Sequence, residues 1–272
     1  MLTAFDKKVH ALSQLLCDTA SADREVLFAS LLKTESSELN KLSLGMEFLE
    51  LPGRSLIKQI LLSKSLKEVR ETYTEMLSGD DIFNETLCQI DQLICDQNQK
   101  ESIQVLIHEL ADQFAPGISL RTFIQQFVQF SSSGINFQKA ETCSIFHTLK
   151  SRKGMPVIIC AIAVWVAKLR GLELRGINLP GHFILSGVTE AGETLYFDPA
   201  SGDAQEKNED AMRSLVNRYG YELRYEMLDP VSHDLVLVRI LNNLYRIWSK
   251  QDTMLKMNLA GDMIEMLKAR KA

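Results

Sequence analysis

The sequence predicts an α+β chain, with a helical N-terminal region, a central domain carrying a small antiparallel sheet, and a helical C-terminal tail. Three observations carry this reading. From the N-terminus to about Phe130 apolar residues recur at helical spacing, as in Phe5, Val9, Leu12, Leu15 and Leu16, and again in Ile103, Leu106, Ile107 and Leu110. Between Asn136 and Asp229 that period gives way to one strongly apolar helix followed by short apolar or β-branched runs. After Pro230 the helical stripe returns.

Breaks at Pro52-Gly53, Gly79-Asp80-Asp81 and Pro116-Gly117 divide the first region into helices of ordinary length. Ser131-Ser132-Ser133-Gly134 is the most loop-like stretch, so the regions are expected at 1–133, 134–229 and 230–272. The central helix is expected to start near Pro156, whose missing N–H suits a first turn, and to stop at Gly171. The run from Gly176 to Ser186 reads as strand. It is expected to form a hairpin with Thr194 to Phe197 across 187–192, with a further strand at Tyr221 to Met227. In the tail, Leu235, Val238, Leu241, Leu244, Tyr245 and Trp248 form one stripe; Met254, Met257, Leu259, Ile264 and Leu267 belong to a second. That is one helix pair of the kind that stacks in solenoids.

Composition narrows the function classes. With 272 residues and 46% hydrophobic content the chain affords a sizeable core. A formal charge of −5 without a long basic run disfavours nucleic-acid binding. Acidic Asp6 interrupts the N-terminus before an apolar region develops, and the longest apolar run, Met155 to Ala167, is flanked by Lys153 and Lys168; neither a signal peptide nor a membrane span is expected. Five cysteines without a CxxC pair fit reduced thiols in a cytoplasm better than a disulfide framework. The five histidines show no HxxxH spacing and no accompanying cysteine cluster, so neither metal nor cofactor is expected.

Three segments carry the candidate chemistry: Gly154-Met155-Pro156 at the head of the apolar helix, Gly181-His182-Phe183 entering a strand, and Phe197-Asp198-Pro199 ending the next. Together they resemble the transglutaminase-like (papain-related) superfamily. There, a Gly-x-Cys begins a core helix that closes in a Leu-Gly-type turn, a His opens a strand, and an Asp ends its hairpin partner. Lys168-Leu169-Arg170-Gly171-Leu172 is similar to that helix end, and His182 and Asp198 stand sixteen residues apart, as the family's pair does. Counting back from Gly171 puts Pro156, not Cys160, in the cysteine position. Arg152 to Val157, Gly176 to Phe183, Phe197 to Pro199 and Leu241-Asn242-Asn243-Leu244 resemble more closely the bacterial SirB-type proteins. Those proteins join a helical N-terminal region, a transglutaminase-like centre and a tetratricopeptide-like tail.

The resemblance implies a degenerate site. A transglutaminase attacks an acyl group with a thiolate activated by His and by the positive end of its helix, and proline carries no nucleophile. An Asp198 carboxylate accepting one ring N–H would still orient His182 for binding or proton transfer. Alternatively, His182 satisfies a hydrogen bond beneath a loop and Asp198-Pro199 starts a turn. Cys160, one helical turn beyond Pro156 among apolar neighbours, reads as an inert packing thiol. Asn178 and Asn136 are candidates to present amides to the cleft, with turn polarity as the alternative. The expected function is a peptide- or protein-binding or regulatory module. Alternatives are a hydrolase in which His182 and Asp198 activate water, and a scaffold working through its helical ends.

Overall fold

The computed structural model describes residues 82–95, 98–202, 206–251 and 253–269, with scattered positions between 7 and 60. The expected breaks at Pro52-Gly53 and Gly79-Asp80-Asp81 lie outside the described residues. The chain forms two compact units, Met1–Thr72 and Tyr73–Ala272. In the first, the described positions are mostly helical and Val9, Leu31, Leu42, Ile57 and Ile60 are buried, as the period of the N-terminal region predicts.

Among the described residues, the second unit begins with the helices α1 (Ile82–Cys95), α2 (Lys100–Ala111) and α3 (Leu120–Gln126). Pro116-Gly117 lies in the turn before α3, where Gly117 takes a φ of 68°. A 3₁₀ turn, Ala140–Cys143, leads into α4 (Ile145–Ser151), whose N-cap Ser144 accepts from the His147 N–H. Next comes the apolar helix α5 (Pro156–Leu169). Every residue from Val157 to Ala167 is buried, as a helix that is apolar all round requires. It ends beside Gly171, which takes a φ of 79° that an L side chain rarely adopts.

Four strands follow in the order β3-β2-β1-β4, all antiparallel: β1 (Leu174–Ile177), β2 (Ile184–Val188), β3 (Thr194–Phe197) and β4 (Pro230–Val231). Register pairs Leu174 with Gly187 and Leu185 with Phe197, so period-2 alternation puts Leu174, Leu185, Leu195 and Phe197 on one buried face. Helix α5 packs on β1 and β2. The other face carries Ile177 and Ile184, which cluster with Leu179 and with Met212 and Val216 of α6 (Glu209–Asn217). The tail is a helix pair, α7 (His233–Lys250) and α8 (Met254–Ala269), packed on each other.

Two expected strands are corrected. The run from Gly176 to Ser186 is two strands, split by a turn at Pro180-Gly181 in which the His182 N–H donates to the Leu179 carbonyl at 3.1 Å. Tyr221 to Met227 is not a strand: it is loop followed by a 3₁₀ turn, Tyr225–Leu228, and Leu223, Met227 and Leu228 cover the Ile177 cluster. The expected boundary after 229 falls directly before β4, which pairs with β1.

Candidate functional site

Pro156 occupies the first position of α5 and Met155 its N-cap, with extended backbone (φ −63°, ψ 146°) and no side-chain cap. Proline costs nothing there, since the first N–H groups of a helix have no intrahelical acceptor. Main-chain bonds fix the approach: the Met155 N–H donates to the Thr142 carbonyl at 2.8 Å, and the Met155 carbonyl accepts from Ile158 and Ile159 at 3.0 and 3.1 Å. Gly154 lies against Thr148 of α4 so closely that a Cβ there would meet Oγ1 at 2.2 Å.

His182 stands two residues before β2 and Asp198 one residue after β3. Pairing of Leu185 with Phe197 brings these flanking segments together, and His182 Nε2 lies 2.8 Å from Asp198 Oδ2. Asp198 Oδ1 accepts from the Ala200 N–H at 2.9 Å, so both carboxylate oxygens are engaged. The Asp198 side chain is 7% exposed and that of His182 19%, which leaves the imidazole reachable while shielding its partner. A carboxylate on Nε2 leaves Nδ1 as the nitrogen available to a ligand. The serine-rich segment after Phe130 ties the two halves together: the Ser131 N–H donates to the Arg152 carbonyl and the Ser132 N–H to the Ala200 carbonyl, each at 3.0 Å.

Pro156 and His182 line one cleft of about 460 Å³. Met155, Val157 and Phe137 supply apolar wall, and the far side is α7, with Arg239, Asn243, Arg246 and Lys250. Asn178 reaches this site through Arg239, whose Nη1 donates to Asn178 Oδ1. Arg239 Nη2 also donates to the His182 carbonyl at 3.2 Å, and its guanidinium lies 5.4 Å from the Phe183 ring centroid. Burial draws the Arg239 pKa down, and its hydrogen-bond partners are neutral. Asn136 forms a local turn instead, Oδ1 accepting from the Gln138 N–H at 2.9 Å.

The thiols stand apart. Cys160 is fully buried one turn into α5, its Sγ 3.7 Å from the Phe183 carbonyl oxygen. Burial, and next the Asp198 charge, hold its pKa well above the usual thiol value, with Arg239 opposing weakly. Cys143 contacts Met155 Sδ at 3.3 Å, and burial pushes it up to about 12. Among the described residues no group of three His, Cys, Asp or Glu is arranged to hold a metal ion, and no helix is long and apolar enough to cross a membrane.

Sequence reasoning missed the cationic wall. Arg239, Asn243, Arg246 and Lys250 recur at intervals of four, three and four, the spacing of a single helix face, beside the apolar stripe of the same helix. That polar stripe was the available signal, and Asn243 was its noticed member.

The chain is similar to UPF0162 proteins of Xylella fastidiosa, 27% identical over 139 residues in strain Temecula1 and 26% over 136 residues in strain 9a5c. It is 28% identical over 104 residues to the UPF0162 protein of Vibrio cholerae. These alignments span 49%, 48% and 38% of this chain and the same shares of the relatives, so the chain spans about half the length, or less, of the curated relatives it matches. No solved structure matches it. The family model described as transglutaminase-like superfamily matches residues 62–242, a stretch that takes in the Pro156 helix, the His182–Asp198 hairpin and the first ten residues of α7; the chain belongs to the transglutaminase-like superfamily.

Proposed function

We propose that this protein is a peptide- or protein-binding, regulatory module in which the transglutaminase-like cleft is kept and covalent acyl transfer is lost. One observation carries the reading. The residue at the first turn of α5, lining the same cleft as His182, is Pro156, while the thiol of that helix, Cys160, is fully buried. Acyl transfer requires a thiolate at the positive end of the helix within reach of the imidazole. A pyrrolidine ring supplies only shape and apolar surface.

The SirB-type likeness belongs to the same proposal. Its support is the quoted segments together with α7 and α8, two packed helices joined by a short connection as in a tetratricopeptide-like pair. The same reading takes the protein as bacterial and cytoplasmic, in keeping with its bacterial relatives and with the reduced thiols of Cys143 and Cys160. A second reading, in which His182 acts as general base toward water, is favoured by the 2.8 Å contact to Asp198 and would contribute on the order of 10²–10⁴-fold.

Substituting the proline tests the proposal. Wild-type protein incorporates no amine into casein and reacts slowly with iodoacetamide near neutral pH. Pro156→Cys, with its thiol at the helix N-terminus, labels rapidly, and less so when His182→Ala is added. Rapid wild-type labelling that disappears in Cys160→Ser overturns the assignment and makes Cys160 the nucleophile.

A further inference from the structure

The cleft is charged against the grain of the chain. The protein carries 35 acidic residues against 30 Lys and Arg, yet no Asp or Glu is among the described residues lining the cleft, whereas Arg239, Arg246 and Lys250 all are. None of these three forms an ion pair with a described carboxylate. Cations left unneutralised around a concave site raise the local concentration of anions and discriminate against basic partners. The three are not equivalent: Arg239 is held by Asn178 and the His182 carbonyl, while the exposed side chains of Arg246 and Lys250 have no such hydrogen bond among the described residues.

Geometry says what kind of anion fits. Helix rise spaces Arg246 and Lys250 by about 6 Å and the whole row from Arg239 by about 16 Å. In an extended strand, side chains on one face recur about every 6.6 Å. Acidic residues at every second position therefore match the Arg246–Lys250 step, leaving the alternate side chains to face the apolar wall of Phe137, Met155 and Pro156. A single phosphate can sit between Arg246 and Lys250, but it leaves the apolar wall of Phe137, Met155 and Pro156 without a partner. A nucleic-acid strand would extend beyond the row over a surface that is acidic overall, and repulsion there works against it.

We propose that the cleft binds an extended acidic peptide, with carboxylates at alternate positions paired to Arg246 and Lys250 and the intervening side chains packed on the Phe137–Pro156 wall. The inference deepens the peptide-binding reading above and rests on it.

The test uses the full chain and three fluorescein-labelled, C-terminally amidated peptides, Gly-Glu-Val-Glu-Val-Glu-Gly and its Gln and Lys counterparts, with a labelled uridine heptanucleotide alongside, read by anisotropy. The Glu peptide binds, the Gln and Lys peptides bind at least tenfold more weakly, and affinity falls as salt rises. The Arg246→Glu, Lys250→Glu double variant, altered only at exposed positions, keeps its circular dichroism melt and loses at least tenfold in affinity for the Glu peptide. Equal binding of Glu and Gln peptides overturns the charge inference and leaves peptide binding standing. Binding of the oligonucleotide alone, or of none of the four probes, overturns both.

Discussion

Gly154→Ala isolates the contact that aims the α5 N-terminus at the cleft. The backbone φ of Gly154 is not positive, so alanine is allowed there and would by itself stabilise the protein by about 0.4–1 kcal/mol through the unfolded chain. Sterics oppose this. The new Cβ would lie 2.2 Å from Thr148 Oγ1, 2.7 Å from Cγ2 and 3.0 Å from Cβ. Thr148 cannot step aside freely, being fully buried, β-branched within α4, and bonded through Oγ1 to the Ser144 carbonyl at 2.7 Å. Relief requires rotating that hydroxyl off its acceptor, at about 1–3 kcal/mol for a buried unsatisfied group, or displacing α4 from α5, at about 1–3 kcal/mol for overpacking. The net expectation is a loss of about 1–2 kcal/mol, or roughly 2–8 °C in Tm for a unit of this size.

Thermal unfolding of four proteins checks it: wild type, Gly154→Ala, Thr148→Ala and the double variant. Thr148→Ala removes the two closest atoms, so the double variant should be more stable than the sum of the single losses predicts, by about 0.5–3 kcal/mol. A Gly154→Ala protein as stable as wild type, or strict additivity in the cycle, refutes the close approach.

Two further outcomes concern buried ionisable groups. Burial raises the Asp91 pKa above 3.8 despite hydrogen bonds from Ser144, Phe146 and Cys95, so the folded state holds its proton more tightly than the unfolded chain. Stability from this group is therefore greatest in acid and is lost as pH rises from about 3.8 through the raised folded value, then stays level. In Asp91→Asn, whose amide oxygen still accepts from Ser144 and Phe146, that downward slope should vanish from guanidinium midpoints taken between pH 3.5 and 8; a wild-type curve rising relative to the variant contradicts it. Cys143, pushed up to about 12, and fully buried Cys160 should react with thiol reagents only as fast as the protein opens. Substituting either by Ser should then leave the fast-labelling fraction unchanged, and a drop in that fraction would contradict their burial.

What the sequence disclosed followed the strength of local signals. Helix α5 was legible because Pro156 and Gly171 bracket it with opposite backbone requirements, and the β2–β3 hairpin because 187–192 is rich in turn residues. Meeting of His182 and Asp198 followed from that hairpin. The split between β1 and β2 was hidden because Leu179, in the connection between them, is fully buried, so apolar residues recur on both sides of the reversal that Pro180-Gly181 marks. The alternation from Tyr221 to Met227 misled for a related reason. Leu223 and Met227 are both half-buried over the Ile177 cluster, and irregular chain covering a core can mimic period 2 without pairing.

The tail's burial pattern says more than its stripe does. A helix that packs on one neighbour needs a narrow apolar stripe, and the stripe read from sequence, Leu235 to Trp248, was of that kind. Val236, Leu237, Ile240 and Ile247 are buried as well, so the apolar face of α7 is wide enough for two sets of neighbours. One is α8; the other is α1, α5 and β1. A helix serving both cannot be an appendage, because its removal would strip cover from α5, the element that presents Pro156. The same rotation that turns Leu237 and Leu241 inward sets Arg239, Asn243, Arg246 and Lys250 along the edge of the buried face, where the cleft opens. Charge at the cleft is thus fixed by the packing of a helix that the chain reaches only after completing the sheet, which is why no motif local to His182 or Pro156 announced it.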